Sequence, residues 1–318
     1  MKAIVYDGKS VKFEPDYPRP RRPSGEALIK MIVSGICRTD LEIAKGYMDF
    51  QGVLGHEFVG EVTYCENKEW LGKRVVGEIN CSCGRCGYCR AGLRYHCPDR
   101  TVLGIKERDG SFAEYFTLPE KNLHIIPEKI DNETAVFAEP LAACCQILRQ
   151  TSIGPGEDVV ILGDGKLGLL MAQVLDRTGC RLLAVGKHPH KLGILQKRAI
   201  STALMSEIPK AKFDMVVECT GSPGGISMAL DLVKPRGIIV LKTTLAEKTL
   251  AHLAPIVINE VTIVGSRCGP MDMALAALEK GQVTVKPLIT DIFPLDEAQK
   301  AINRAHESDS IKVLLKPA

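Results

Sequence analysis

Five of the chain's twelve cysteines fall between Cys81 and Cys97, in the run CSCGRCGYCRAGLRYHC. Two C-x-x-C steps, Cys83 to Cys86 to Cys89, are followed by a seven-residue gap to Cys97. Four thiolates so spaced can wrap one tetrahedral zinc, and the intervening glycines permit the tight turns. With four protein ligands and no open position, such a site is structural. Iron is the rival metal for a four-sulfur set. Cys81 lies just outside the pattern and reads as a bystander. Bare thiols are the poorer alternative, because exposed cysteines would invite oxidation.

A second chemical signature is VVILGDGKLG, with Gly163, Gly165 and Gly168 in G-x-G-x-x-G spacing. The first glycine permits a tight turn, the second a close backbone approach to pyrophosphate, and the third close helix–strand packing. The helix that follows offers free N–H groups and its positive dipole end to phosphate. Gly163, Asp164, Gly165, Lys166, Leu167 and Gly168 are therefore candidate dinucleotide contacts, with Thr220 after a later strand. About 20 residues on, an NAD site usually carries Asp or Glu for the ribose 2′-hydroxyl. Here the sequence reads AVGKHPHKL: Gly186 takes the acidic position, and Lys187 and His188 follow. With no carboxylate to repel it, a 2′-phosphate is attracted by the basic groups. The expectation is a preference for NADP; the alternative is that these basic residues are a solvated helix start and either NADP or NAD is accepted.

Cys37 in GICRTD and His56 and Glu57 in GHE are metal-ligand types. Each alone has a bland reading, since a cysteine after an apolar strand is more often simply buried.

The elements that must hold these residues follow from patterning. KAIVY (2–6), EALIKMIVS (26–34), EFVGEVTY (57–64) and KRVVGEI (73–79) read as strands, and the proline-rich stretch 15–25 as a surface loop. Residues 133–150 read as helix, kinked or divided at Pro140. From about residue 157 the rhythm alternates: strands at 158–162, 181–185, 213–218, 237–242 and 261–266, with helices at 166–178, 189–198 and from Pro223, capped by Ser222. Alternation of this kind predicts a parallel sheet covered by helices.

The 318 residues suggest two domains, and 45% hydrophobic with 25% charged residues is ordinary globular composition. A net charge of +3 speaks against a dedicated nucleic-acid or membrane-surface binder. The longest apolar candidate, 159–175, is broken by Asp164 and Lys166, so no membrane span is expected. The first residues lack the apolar core of a signal peptide, and the expected location is cytoplasmic.

GICRTD, GHEFVG, the four-cysteine lobe, AEPL and GDGKLG occur in an order that resembles the zinc-dependent medium-chain alcohol and polyol dehydrogenases, in particular the sorbitol-, glucose- and threonine-dehydrogenase-like branch. The resemblance runs nearly the whole chain, through ECTGSPGGISMALDLVKPRG and LITDIFPLDEAQKAI. It implies an α/β fold: a GroES-like β-barrel catalytic domain, residues 1–141 and 268–318 with a structural zinc lobe at 81–97, and a Rossmann doubly wound parallel sheet, residues 142–267. It also implies a catalytic zinc in a cleft between domains, held by Cys37, His56, Glu57 and Glu139, with Cys144 and Cys145 as rival ligands. Asp40 resembles the carboxylate that orients the histidine, and Arg38 a residue that reaches the cofactor pyrophosphate.

The implied reaction is Lewis-acid activation of an alcohol and hydride transfer to nicotinamide, with Thr39 relaying the alcohol proton. Where some members end that relay with a histidine, this chain has Glu42. The segments after Cys37 and after Val62 are compressed, and Glu66 replaces a usual glycine. The implied substrate is a secondary alcohol, polyol or sugar, and the implied assembly a homodimer or homotetramer. Two rivals are a zinc-free quinone or enone reductase on the same fold and a non-enzymatic zinc-binding module. The first predicts loss of Cys37, His56 and Glu139, and the second a basic, aromatic-bearing face. The sequence has neither feature.

Overall fold

The computed structural model describes residues 1–245 and 250–317. The chain divides into two compact units, Met1–Glu139 with Leu278–Lys280 and Leu288–Ala318, and Pro140–Ala277 with Gly281–Pro287.

The first unit is built around the ten-residue strand Glu26–Gly35. Ala27, Ile29, Met31 and Val33 alternate along it and are buried, the period-two pattern of a half-covered strand. Its length lets it serve several neighbours. Glu57–Tyr64 runs antiparallel along most of it, Tyr115–Pro119 pairs with its first half, and Lys312–Lys316 pairs with Ser34 and Gly35 at its end. Leu123–Ile125, Arg74–Gly77 and Ile289–Pro294 complete a seven-stranded sheet among the described residues. The strands expected at 2–6, 26–34, 57–64 and 73–79 all form, and 15–25 contains neither helix nor strand. The C-terminal strand thus brings Lys312 to the end of Glu26–Gly35, just before Cys37.

The second unit contains a six-stranded parallel sheet. Its spatial order is Ser201–Leu204, Arg181–Gly186, Asp158–Leu162, Phe213–Glu218, Val233–Leu241, Thr262–Gly265. In chain order this is 3-2-1-4-5-6, the doubly wound arrangement. Val159, Val160, Ile161 and Leu162 are fully buried, as a central strand covered on both faces requires. The order reverses beside Asp158–Leu162, so the carboxyl ends of that strand and of Phe213–Glu218 flank the switch point where ligands bind. Residues 281–287 join this unit through Gln173, which donates to the Thr284 carbonyl at 3.2 Å and accepts its amide at 2.8 Å.

Two local expectations are corrected. Pro140 does not divide the helical stretch. It sits in the first turn of Ala138–Cys145, where a missing N–H costs nothing, and the breaks fall after Ala135 and before Ile147. Ser222 is not an N-cap. Its carbonyl accepts the Gly225 amide at 3.0 Å in a turn, and the helix Gly225–Leu232 begins only after that turn. The strand Ser201–Leu204 was not anticipated. Its four residues are half-buried at best, which leaves little apolar signal at the sheet's edge.

Candidate active site

The strand Glu26–Gly35 turns through Ile36 and Cys37 into the short helix Arg38–Ile43, and Glu57 opens the neighbouring strand just after His56. This brings Cys37 Sγ, a His56 ring nitrogen and a Glu57 carboxylate oxygen within 4.8 Å of one another. Asp40, fully buried, organises the cluster. One of its oxygens accepts the Cys37 amide at 2.8 Å, and the other meets His56 Nδ1 at 3.0 Å. A single carboxylate therefore fixes the backbone of one ligand and the ring of the next, leaving Nε2 of His56 for a metal. Burial by itself depresses the histidine's pKa, but Asp40, with Cys37 beside it, holds it well above the ordinary value. A half-buried thiol converging with a buried imidazole and a buried carboxylate matches the donor set of a zinc site.

Glu57 is also the partner of Lys312, and both side chains are wholly buried. Lys312 Nζ donates to Glu57 Oε2 and, at 3.1 Å, to the Ile36 carbonyl. The sequence reading missed this residue. Its signal was a charged side chain inside the otherwise apolar run IKVLL, and nothing local tied it to a strand more than 250 positions away. Thr39 Oγ1 lies 3.9 Å from Cys37 Sγ. Arg38 Nε and Lys45 Nζ each lie 3.1 Å from Glu42 Oε1, so the buried carboxylate at the position of the implied relay is held by two cations. Glu139 lies in the first turn of Ala138–Cys145. Neither it nor Cys144 nor Cys145 belongs to the cluster of three. Burial pushes the Cys145 thiol up to about 11, an inert state.

The four-cysteine lobe is closed at its neck by two short paired strands, Asn80–Cys81 and Thr101–Val102. Cys83, Cys86, Cys89 and Cys97 form one cluster. Their sulfurs stand 3.5 Å apart for Cys86 and Cys89, 3.8 Å for Cys86 and Cys97, and 3.9 Å for Cys83 and Cys89. Disulfide sulfurs would stand about 2 Å apart. Sulfurs at the corners of a tetrahedron with bonds of about 2.3 Å are about 3.8 Å apart, so the four fit one zinc. Backbone amides of Arg85 and Cys86 lower the Cys83 thiol to about 7. The Cys89 amide works in the same direction on Cys86, yet desolvation and the neighbouring thiols push it up to about 11. One thiolate thus disfavours the next, and a cation is what lets all four ionise. Cys81 lies buried in the neck, outside the cluster.

In the second unit the glycine turn joins Asp158–Leu162 to the eleven-residue helix Lys166–Asp176. Gly163 has φ +120°, and a Cβ there would meet the Cys219 carbonyl at 2.5 Å. A Cβ on Gly168 would stand 1.9 Å from the Gly163 carbonyl, so this glycine lets the helix lie on the turn. Gly165, the residue capping the helix, has open space where a Cβ would be. That bareness leaves room for a group approaching from outside, such as a pyrophosphate. The Leu167 carbonyl accepts the Cys144 thiol at 3.7 Å. Thr220 lies beside the turn, its amide and hydroxyl donating to Glu218 Oε1 at 2.8 and 2.6 Å. Asp164, almost buried, reaches across to the tip of Arg181–Gly186, where it accepts the amides of Lys187 and His188.

Comparison with known proteins covers most of the chain. Residues 23–128 match the family described as alcohol dehydrogenase GroES-like domain, and residues 147–316 the family described as glucose dehydrogenase C-terminus. The chain is 31% identical to a sorbitol dehydrogenase of Halalkalibacterium halodurans over 94% of each chain. Two solved structures align over 99% of each chain. An NADP-bound chain from Sinorhizobium meliloti 1021, assigned to the zinc-binding dehydrogenases, has a TM-score of 0.85 at 28% identity. An alcohol dehydrogenase of E. coli CFT073 in complex with NADH has a TM-score of 0.88 at 26% identity.

Proposed function

Because the chain belongs to the zinc-type medium-chain alcohol and polyol dehydrogenases, oxidoreductases that transfer hydride to or from a nicotinamide cofactor, we propose that it oxidises a secondary alcohol of the polyol or sugar class, reversibly. The polyol class is supported by the relative named for sorbitol. The observation that carries the metal-dependent reading is the buried Asp40 carboxylate, which fixes both Cys37 and His56 in one cluster with Glu57.

In this reading Cys37, His56 and Glu57 hold the catalytic zinc. Glu139 is the proposed fourth ligand, and because it stands outside the cluster of three, its side chain must swing in. Bound there, zinc supplies Lewis acidity that lowers an alcohol's pKa. Asp40 keeps the His56 ring oriented and basic. Lys312 pairs with Glu57 and offsets its negative charge where both side chains are buried. Thr39 receives the alcohol proton and passes it outward. Cys83, Cys86, Cys89 and Cys97 hold a second, structural zinc. Gly163 to Gly168, with Thr220 beside them, cradle the dinucleotide. The cofactor supplies the hydride acceptor.

The twelve cysteines, none in a disulfide among the described residues, favour a reducing, cytoplasmic setting. Among the described residues no helix is long and apolar enough to cross a membrane. The edge strand Thr262–Gly265, with Val257 and Ile258 exposed just before it, favours assembly into a homodimer or homotetramer.

The test is metal content per chain, measured together with cofactor-dependent oxidation of a panel of polyols, sugars and secondary alcohols. The expected result is about two zinc ions per chain with turnover, falling to about one ion without turnover in Cys37→Ala. A wild-type chain with about one ion and no alcohol oxidation would sink the metal-dependent reading.

A further inference from the structure

The tip of strand Arg181–Gly186 decides between NAD and NADP, an inference that rests on the glycine turn being a dinucleotide cradle. Read as sequence, this tip lacks an acid and carries two basic side chains. In the folded chain it does not lack an acid. Asp164 Oδ2 accepts the Lys187 amide at 2.7 Å, the His188 amide at 2.6 Å and His188 Nδ1 at 3.0 Å. A Cβ on Gly186 would stand 2.4 Å from Asp164 Cβ and 2.5 Å from its Oδ2. Gly186 and Asp164 are therefore two halves of one device. Any side chain at 186, the usual Asp or Glu included, would displace the carboxylate that now fills the space.

We propose that Asp164, delivered from the glycine turn itself, replaces the missing strand-end acid and makes the protein select NAD over NADP. Three features of the tip argue for this. The dinucleotide's 2′-oxygen lies at the end of the second strand in this fold, where the Asp164 carboxylate sits. The amides of Lys187 and His188, which would otherwise be free to bind a 2′-phosphate, already donate to Asp164, as does the His188 ring. A phosphate dianion would also meet a carboxylate that is only 8% exposed and poorly screened. Against this stands Lys187, whose side chain is exposed and therefore screened by water and salt. The remaining carboxylate oxygen, Oδ1, is the acceptor for the ribose 2′-hydroxyl.

The zinc-loaded protein is titrated with NADH and with NADPH, following nicotinamide fluorescence and heat, for wild type, Asp164→Asn and Asp164→Ala. The wild type is expected to bind NADH at least about tenfold more tightly than NADPH. Both variants are expected to move that ratio toward NADPH by about tenfold or more, Asp164→Ala further because it also frees the two amides. NADPH binding as tight as NADH in the wild type overturns the proposal, and so does an unchanged ratio in the variants. If one variant fails to melt cooperatively, the wild-type ratio and the other variant decide. Wild type that binds neither nucleotide would instead sink the cradle itself. Gly165→Glu, which fills open space without touching the tip, should abolish binding of both.

Discussion

Asp40 has the largest leverage of any single residue in the ligand cluster, because its two oxygens serve two ligands. Asp40→Asn keeps the shape and removes the charge, so zinc affinity is expected to fall about 10- to 100-fold in a chelator-competition titration. The same pair sets a pH dependence. In the metal-free protein His56 holds its proton well above the ordinary value of 6.5, despite the opposing effect of burial. The stability this contributes is complete below that unfolded value and is lost as pH rises through the higher folded one. Zinc competes with that proton, so uptake should weaken as pH falls through the folded value, with a midpoint lowered in Asp40→Asn. An unmoved midpoint would show that Asp40 does not tune the ring. Lys312 and Glu57 form the other buried pair. Lys312→Met leaves a carboxylate without its cation and should cost about 3–5 kcal/mol in urea unfolding. Adding Glu57→Gln should recover much of that loss, and if it does not, the cost comes from packing.

Among the elements, the four-cysteine lobe has the least core of its own, and in the proposed reading a metal holds it together. Between its paired neck strands it contains only the short helical turns Gly87–Arg90 and Arg94–His96, with no buried residues in either. Such a segment has too little core to order itself. Cys86→Ser is therefore expected to remove one zinc and raise amide exchange across 82–99, while Glu26–Gly35 and its paired strands stay protected. Protection retained throughout the lobe would mean that sulfur coordination is not what orders it. The glycine turn shows the opposite economy. Gly168 is needed by the protein's own backbone, whereas Gly165 faces open space, a distinction that the G-x-G-x-x-G spacing alone does not draw.

At the scale of the whole molecule, each unit holds one of the two candidate sites, the cluster of Cys37, His56 and Glu57 in the first and the glycine turn in the second. The parallel sheet ends in the edge strand Thr262–Gly265, preceded by Val257 and Ile258, each 77% exposed. Among the described residues no further strand pairs with this edge, and such an edge beside exposed apolar side chains is a ready template for a second copy. Sedimentation of the wild type should show a dimer or tetramer, and Ile258→Glu with Ile263→Glu should shift it toward monomer. A monomeric wild type would remove this face from consideration as an interface.

Where the arrangement depends on residues close in the chain, the sequence by itself was enough. The C-x-x-C steps, the glycine turn and the alternation of strands and helices are local patterns, because spacing along a helix, turn or strand translates directly into geometry. The pairing of GICRTD with GHE was legible only through resemblance, since neither segment carries the other's address. What lay beyond reach was whatever two distant segments contribute to one place. Lys312 arrives beside Glu57 only because the C-terminal strand pairs with Glu26–Gly35. Asp164 fills the gap at Gly186 only because two parallel strands end side by side, in a register that sets Leu162 against Val185. A glycine in sequence is an absence. In the folded chain it is a space, and only the tertiary structure decides which side chain comes to fill it.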